Sequence, residues 1–160
     1  MFMLQLFSLL SYGIIAYQDV RDREVTWIWF PFLGISLGLV HGLQVGFPVF
    51  AYAVITNLIL TSGILLLLWA VTRYVLKKPF LNVSFGLGDL LFLYAMALGF
   101  PTMTYVYLLV TSLIFSLVAF IPMKLFLKVN TVPMAGLMGL FLMTITLLSI
   151  LPGAPSLYAY

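Results

Sequence analysis

The chain has 160 residues, of which 64% are hydrophobic and only 7% are charged. Soluble domains carry about 25% charged residues, so this composition excludes an ordinary water-exposed protein and indicates a membrane-embedded one. The absence of cysteine excludes disulfides, thiolate catalysis and cysteine-ligated metal sites, and one histidine cannot build a histidine-rich site. We therefore expect no metal and no cofactor. The net charge of +3 comes from short basic clusters between apolar runs, which indicates membrane topology rather than nucleic-acid binding.

Six apolar runs are candidate membrane-spanning helices, each of which needs about 20 apolar residues. They cover roughly residues 2–18, 26–43, 48–71, 85–100, 102–121 and 131–151. The first run has no basic segment before it and no small-residue cleavage site after it, so we expect it to be retained. Pro48, Pro101 and Pro122 stand near span ends, where helix-stopping residues are expected. The sequence predicts an all-α polytopic membrane protein with six transmembrane helices in a single domain, 1–160.

The basic residues all lie in the odd-numbered loops between these spans, at 19–26, 72–84 and 124–130. They are Arg21, Arg23, Arg73, Lys77, Lys78, Lys124 and Lys128. The even-numbered loops, at 42–48 and around Pro101, contain none. The positive-inside rule therefore predicts that the odd loops face the cytoplasm and that both termini lie outside it.

Aromatic residues near the span ends are expected to anchor the helices at the two membrane interfaces. They are Trp27, Trp29, Tyr74, Tyr105, Tyr107, Tyr158 and Tyr160. The single histidine, His41, lies at the outer end of the second span and is also expected to be interfacial.

The acidic residues, four in all, lie on the predicted cytoplasmic side. Asp19 ends the first span, Asp22 and Glu24 follow in the first loop, and Asp89 lies about one turn inside the fourth span. A lone carboxylate at membrane depth costs several kcal/mol, so Asp89 needs a partner or a function. Asp19 and Asp89 can share one depth. Such a pair suits an aspartyl protease, in which one carboxylate takes a proton from water and the other, protonated, polarises the scissile carbonyl.

Each of these residues also has a purely structural interpretation. Asp19 could form a surface ion pair with Arg23, four residues later, and the remaining loop acids lie among arginines in a solvated loop. Asp89 has no basic residue within ten positions, which favours a functional role. Gly86 and Gly88 would let a substrate or another helix approach closely, or would serve helix packing alone.

Three segments carry a family resemblance: "GLGD", "DVRDREVTWIW" and "VNTVPMAGLMGL". They resemble the GxGD membrane aspartyl proteases, and within them the type IV prepilin peptidases and archaeal preflagellin peptidases. "GLGD" at Gly86–Asp89 matches the GxGD motif, and "DVRDREVTWIW" resembles the signature "D-x-R-x-x-x-I-P-N-W". "VNTVPMAGLMGL" resembles the proline-containing start of the family's last helix. The resemblance implies that Asp19 and Asp89 are the catalytic pair. It implies substrate-binding or packing roles for Gly86, Gly88, Asp22, Glu24 and Pro133.

The resemblance also implies a location and a set of partners. The expected enzyme is a multi-pass protein of a prokaryotic cell membrane, with its active site facing the cytoplasm. Its expected partners are membrane lipids and prepilin-like or preflagellin-like proteins with a short basic leader ahead of a hydrophobic helix. No nucleic acid is expected, and homo-oligomer formation is left open. Without cysteine, we expect no zinc module, and the methyltransferase activity of larger bacterial relatives is not supported.

The chain departs from the family pattern at three positions. Leu91 stands where the family usually has lysine, Thr26 where it has proline, and Gly136 where the last helix has its second proline. These positions bear on the substrate subtype.

Other classes of protein remain as alternatives. The presenilin and signal-peptide-peptidase branch has larger chains, and its first aspartate is not followed by a basic loop. A rhomboid-like serine protease needs a serine–histidine pair, but the only histidine, His41, lies at the outer end of the second span and no serine has the expected glycine-rich setting. A HExxH metalloprotease is excluded because it needs two histidines. From a different class, a small transporter, channel or assembly scaffold could use Asp89 as a proton or cation site.

The helix ends predict which aspartate is the base and which is the acid. Asp89 lies near the start of its span, where the partial positive charge of the helix favours an anion, and Asp19 lies at the unfavourable end of its own. We therefore expect Asp89 to be the ionised base and Asp19 the protonated acid.

Overall fold

The computed structural model describes residues 2–77, 85–127, 132–151, 153–154 and 156–158. Within these ranges the chain is all-helical, with no β-strand. The helices are α1 (Phe2–Arg21), α2 (Trp29–Val45), α3 (Phe47–Ala70), α4 (Leu87–Ala97), α5 (Thr102–Leu127) and α6 (Met134–Ser149). A π-helical turn, Val71–Val75, extends α3.

Successive helices run in opposite directions. The end of α1 meets the start of α6, because Asp19 is hydrogen-bonded to Gly136. The start of α2 lies beside the start of α4, and His41 near the end of α2 contacts Leu98, just after α4. The ends of α1, α3 and α5 therefore lie at one end of the bundle, which we call the aspartate end. The described basic residues lie in the last turns of those helices or just after them, so they lie at the aspartate end as well.

The core of the bundle surrounds α4, the shortest helix. α4 packs against α2, α3 and α6, while α1 packs against α2 and α6. The largest fully buried apolar side chains include Tyr12, Phe92, Met96, Met138 and Leu142, from α1, α4 and α6. Because α4 is enclosed on several sides, its position is determined by its neighbours rather than by solvent or lipid.

Helices α3 and α5 instead present apolar side chains to the outside. α3 buries only a narrow stripe, Ala53, Asn57, Thr61 and Leu65, at the four-residue spacing of one helix face. Phe47–Val75 and Thr102–Leu125 are each long and apolar enough to cross a membrane, and α2, α4 and α6 are shorter apolar helices. Exposed apolar surfaces of this extent mark contact with lipid or with another protein.

The helix boundaries correct two of the predicted loops. Only Gly46, with φ +82°, separates α2 from α3, so the predicted loop 42–48 is almost entirely helical. Pro122 lies inside α5, which continues to Leu127, so the prediction that this proline ends the helix is wrong. One proline removes a single backbone hydrogen bond, and the apolar residues around it remain helical. Pro48 and Pro101 do stand at helix starts, as expected.

Two of the residues expected at the membrane interfaces are instead buried in the bundle. His41 and Tyr105 are fully buried rather than interfacial, because neighbouring helices supply hydrogen-bond partners for both. Tyr158 is partly buried and stacks on Phe100, with ring centroids 6.1 Å apart. Of the other predicted anchors, Trp27, Tyr74 and Tyr107 are exposed and Trp29 is partly buried. Lys78, Lys128, Tyr160 and the greater part of loop 72–84 lie outside the described residues.

Candidate active site

The carboxyl groups of Asp19 and Asp89 meet at the start of α6. The backbone N–H of Gly136 donates to Oδ2 of Asp19 at 2.6 Å, and that of Ala135 donates to Oδ1 of Asp89 at 2.7 Å. The two donors are consecutive residues, so one helix terminus holds both side chains. Both aspartates are partly buried and line the same cleft, which brings the sequence-predicted pair together.

The start of α6 suits this task because of its local sequence. The first N–H groups of a helix have no partner within the helix, and the terminus carries about half a positive charge. Pro133 occupies the N-cap position and is buried, and its carbonyl accepts the N–H of Leu137. The N–H groups of Ala135 and Gly136 are therefore available to bind anions.

Gly136 is required where α6 crosses α1. A Cβ atom at this position would lie 2.9 Å from Cβ of Asp19, 3.0 Å from its Oδ2 and 3.2 Å from the carbonyl oxygen of Ala16. Two of these neighbours belong to the Asp19 side chain, and the third is backbone that cannot rotate away. The close approach of the two helices, and with it the hydrogen bond to Asp19, depends on the missing side chain.

Asp89 is also held by the start of its own helix. Gly86 is the N-cap of α4 and Asp89 lies in the first turn, where its carboxylate accepts the N–H of Gly86. A Cβ on Gly86 would lie 2.9 Å from Oδ2 of Asp89, whereas a Cβ on Gly88 would lie 3.4 Å from the ring of Phe30. Both predicted glycines therefore allow close packing, Gly86 against the carboxylate and Gly88 against α2.

The first loop folds over this end of the bundle. Arg23 adopts a left-handed conformation, with φ +61°, two residues after α1 ends. The side-chain oxygen of Gln18 accepts the N–H of Thr26 at 3.0 Å, which ties the loop to α1. Arg23 and Glu24 consequently line the cleft, which brings the positive charge of Arg23 near Asp19.

Asp22 lies apart from the two aspartates. Its side chain is 56% exposed, and its Oδ1 lies 3.8 Å from Nε of Arg21. It is therefore part of a solvated ion pair rather than of the cleft.

The cleft has a volume of about 810 Å³, and the charged side chains near the two aspartates line it. Asp19, Asp89 and Glu24 contribute three carboxyl groups, which the guanidinium of Arg23 opposes among the described residues that line the cleft. The remaining wall is largely apolar and includes Trp27, Phe30, Phe85, Leu91, Val132 and Met134. The arrangement offers a carboxylate pair for proton transfer, beside an apolar surface that would hold a hydrophobic segment.

Sequence reasoning did not identify the backbone donors of α6. A proline followed by small residues, as in "PMAG", is the signal for a helix start that another helix can approach closely. Leu91, one of the departures from the family pattern, lies on the apolar wall of the cleft. Among the described residues, no group of three or more His, Cys, Asp or Glu side chains is placed to hold a metal ion.

No protein-family model matches this chain. No curated protein and no solved structure matches it either.

Proposed function

We propose that this chain is a membrane aspartyl endopeptidase of the prepilin peptidase type, which removes the short basic leader of prepilin-like or preflagellin-like proteins. The observation that carries the proposal is the pair of carboxyl groups from α1 and α4, bound to consecutive N–H groups of α6 in one open cleft. A surface ion pair does not account for two acids that converge in one cleft, and such clusters of acids are more frequent at functional sites.

The chemistry is an attack of water on the scissile carbonyl. The ionised carboxylate takes a proton from water while the protonated carboxyl donates a hydrogen bond to the carbonyl oxygen, and a proton then passes to the leaving nitrogen. Two close carboxyl groups favour a state in which they hold one proton between them, because two carboxylates ionised at the same time would repel each other. The N–H groups of α6 orient one oxygen of each aspartate. Oδ1 of Asp19 then remains for water or substrate, whereas Oδ2 of Asp89 lies against Gly86.

The predicted division of acid and base stays open to experiment. The sequence-based argument considered the ends of α1 and α4, whereas the start of α6 acts on both carboxyl groups with similar hydrogen bonds. This third helix end favours ionisation of either residue and reduces the asymmetry between them.

The surroundings of the pair favour a substrate with a basic leader and an apolar helix. Glu24 adds a third carboxyl to the cleft, and together the acids would attract positive charge. Trp27, Phe30 and Met134 provide an apolar wall for the hydrophobic part of the substrate. In the proposed orientation all six helices lie in a prokaryotic cell membrane, with the aspartate end and its basic loops at the cytoplasmic face.

The test is cleavage of candidate substrates by the purified protein in detergent or lipid. We expect loss of the leader by mass spectrometry, abolished by Asp19→Asn and by Asp89→Asn. Asp22→Asn is the matched control, because Asp22 is an acid close to Asp19 in the chain but lies outside the cleft. Full cleavage by either cleft variant would refute the paired mechanism.

The transporter or channel alternative has its own signature in the same preparation. A proton or cation flux into vesicles that needs Asp89 but not Asp19, without any cleavage, would favour that alternative over the peptidase.

A further inference from the structure

The C-terminal end of α4 lies inside the bundle, at the opposite end of this helix from Asp89. The helix has 11 residues, which is about 16 Å at 1.5 Å per residue and roughly half of a membrane core. The turn that follows is buried at Gly99 and Phe100. The last carbonyl groups of a helix have no partner within the helix, and burying them unpaired is costly.

Side chains from two other helices provide the missing partners. Nδ2 of Asn57, on α3, donates to the carbonyl oxygens of Ala97 at 3.0 Å and Phe100 at 2.8 Å. Nδ1 of His41, on α2, lies 3.1 Å from the carbonyl oxygen of Leu98. A carbonyl only accepts, so Nδ1 carries the proton in this contact. Both side chains are fully buried, and neither hydrogen-bonding pattern follows from the local sequence of α4.

The α2 and α4 helices are also packed too closely to slide freely. A Cβ on Gly99 would lie 3.0 Å from Cβ of Leu37, and a Cβ on Gly34 would lie 3.1 Å from Cδ1 of Leu98. α3 is different, because most of its surface is exposed and Asn57 lies in its narrow buried stripe. The hydrogen bonds of Asn57 therefore join a peripheral helix to the helix that carries a reacting group.

We propose that Asn57 and His41 are positioning residues that fix the axial position of α4, and through it the position of the Asp89 carboxyl against α6. Asp89 lies eight residues before Ala97, about 12 Å along a rigid helix. A displacement at the capped end is transmitted to the other end, because a helix moves as one body. The catalytic consequence rests on the proposed peptidase function, but the positional consequence does not.

Two sets of variants distinguish the loss of a hydrogen-bond donor from a change in side-chain volume. Asn57→Leu keeps a similar size and removes both hydrogen bonds, while Ser62→Ala is the matched control. Ser62 also bonds α3 to α4, through the Tyr94 hydroxyl at 3.0 Å, but it does so on the exposed surface and away from the helix end. For His41, His41→Asn retains a donor near the place of Nδ1, whereas His41→Leu removes it.

The position of α4 is measured without reference to activity. The chain has no cysteine, so Leu87→Cys on α4 and Leu140→Cys on α6 provide two exposed sites for spin labels. Electron–electron double resonance then reports the distance between the two helices. We expect Asn57→Leu and His41→Leu to shift or broaden this distance, and Ser62→Ala and His41→Asn to leave it as in the parent protein.

The catalytic readout uses the unlabelled variants. We expect Asn57→Leu to lower kcat by up to about 100-fold with little change in KM, since misplacement of a reacting group by about 1 Å costs that much. The pH profile of kcat should also shift, because the Asp89 carboxyl leaves its N–H donor. A loss of folded protein alone would lower the active amount without moving the pH profile.

The outcomes distinguish this inference from the proposed function. An unchanged label distance in Asn57→Leu refutes the positioning role, whatever the activity. A changed distance in a protein that cleaves no candidate substrate supports the positioning role and counts against the peptidase. A fall in kcat with an unchanged pH profile and distance assigns Asn57 to stability alone and overturns the inference.

Discussion

Gly136→Ala tests the contact that joins α1 to α6 at the candidate site. The added Cβ would lie 2.9 Å from Cβ of Asp19 and 3.2 Å from the Ala16 carbonyl oxygen, where ordinary contacts begin at 3.4 Å. The two helices must separate by about 0.5 Å to admit the methyl group, an overpacking cost of about 1–3 kcal/mol. Weakening the hydrogen bond from Gly136 to the Asp19 carboxylate adds about 1.5–3 kcal/mol.

Alanine stabilises a helix by about 0.5–1 kcal/mol relative to glycine, which offsets part of these costs. The expected net loss in unfolding free energy is therefore about 2–5 kcal/mol. The displaced carboxyl should lower kcat by about 10- to 100-fold. Thermal unfolding in detergent and initial rates of leader removal measure the two effects.

Gly139→Ala is the matched control for this experiment. It lies on the same face of α6, and its Cβ would meet the Tyr12 carbonyl oxygen at 3.5 Å and the Phe92 ring at 3.6 Å, both ordinary contacts. We expect it to retain activity within about twofold and to unfold at the same temperature or higher. Equal behaviour of the two variants would refute the close-approach reasoning. A destabilised Gly136→Ala with unchanged kcat would place Gly136 in packing alone.

Three further predictions concern the rim of the cleft, the start of α4 and the topology. Glu24→Gln should raise KM for a basic-leader substrate about two- to fivefold with kcat unchanged, whereas Asp22→Asn should not; equal KM values would exclude Glu24 from leader binding. Gly86→Ala should lower kcat at least about tenfold because its Cβ would crowd Oδ2 of Asp89, and more than Gly88→Ala, whose Cβ meets only a ring edge. The reverse order would contradict the contact geometry. A reporter fused to the C-terminus should be active only outside the cytoplasm, and one placed between α3 and α4 only inside it; a cytoplasmic C-terminus would require a different number of spans.

Several features of this protein could be predicted from the sequence because they depend on local composition. Apolar runs and the prolines at 48 and 101 placed most helix ends to within a few residues, since hydropathy and backbone restrictions act over one helix at a time. The exception is the end of α5, which continues past Pro122 to Leu127. The clustering of the basic and acidic residues near alternate helix ends is likewise visible in the chain itself. Asp89 could be singled out because a carboxylate within an apolar run is costly wherever the helix lies.

Tertiary structure alone decided which groups meet. Gly136 and Asp19 are 117 residues apart, and His41 and Leu98 are 57 apart, so no local pattern specifies their contact. The surroundings of Pro122 and Tyr105 were likewise not predictable from the local sequence. The proline sits within a continuous helix, and the tyrosine is buried because Thr61 of another helix provides its hydrogen-bond partner. Hydrogen bonds and close approaches between helices depend on the register in which their surfaces pack, and that register exists only once the bundle has formed.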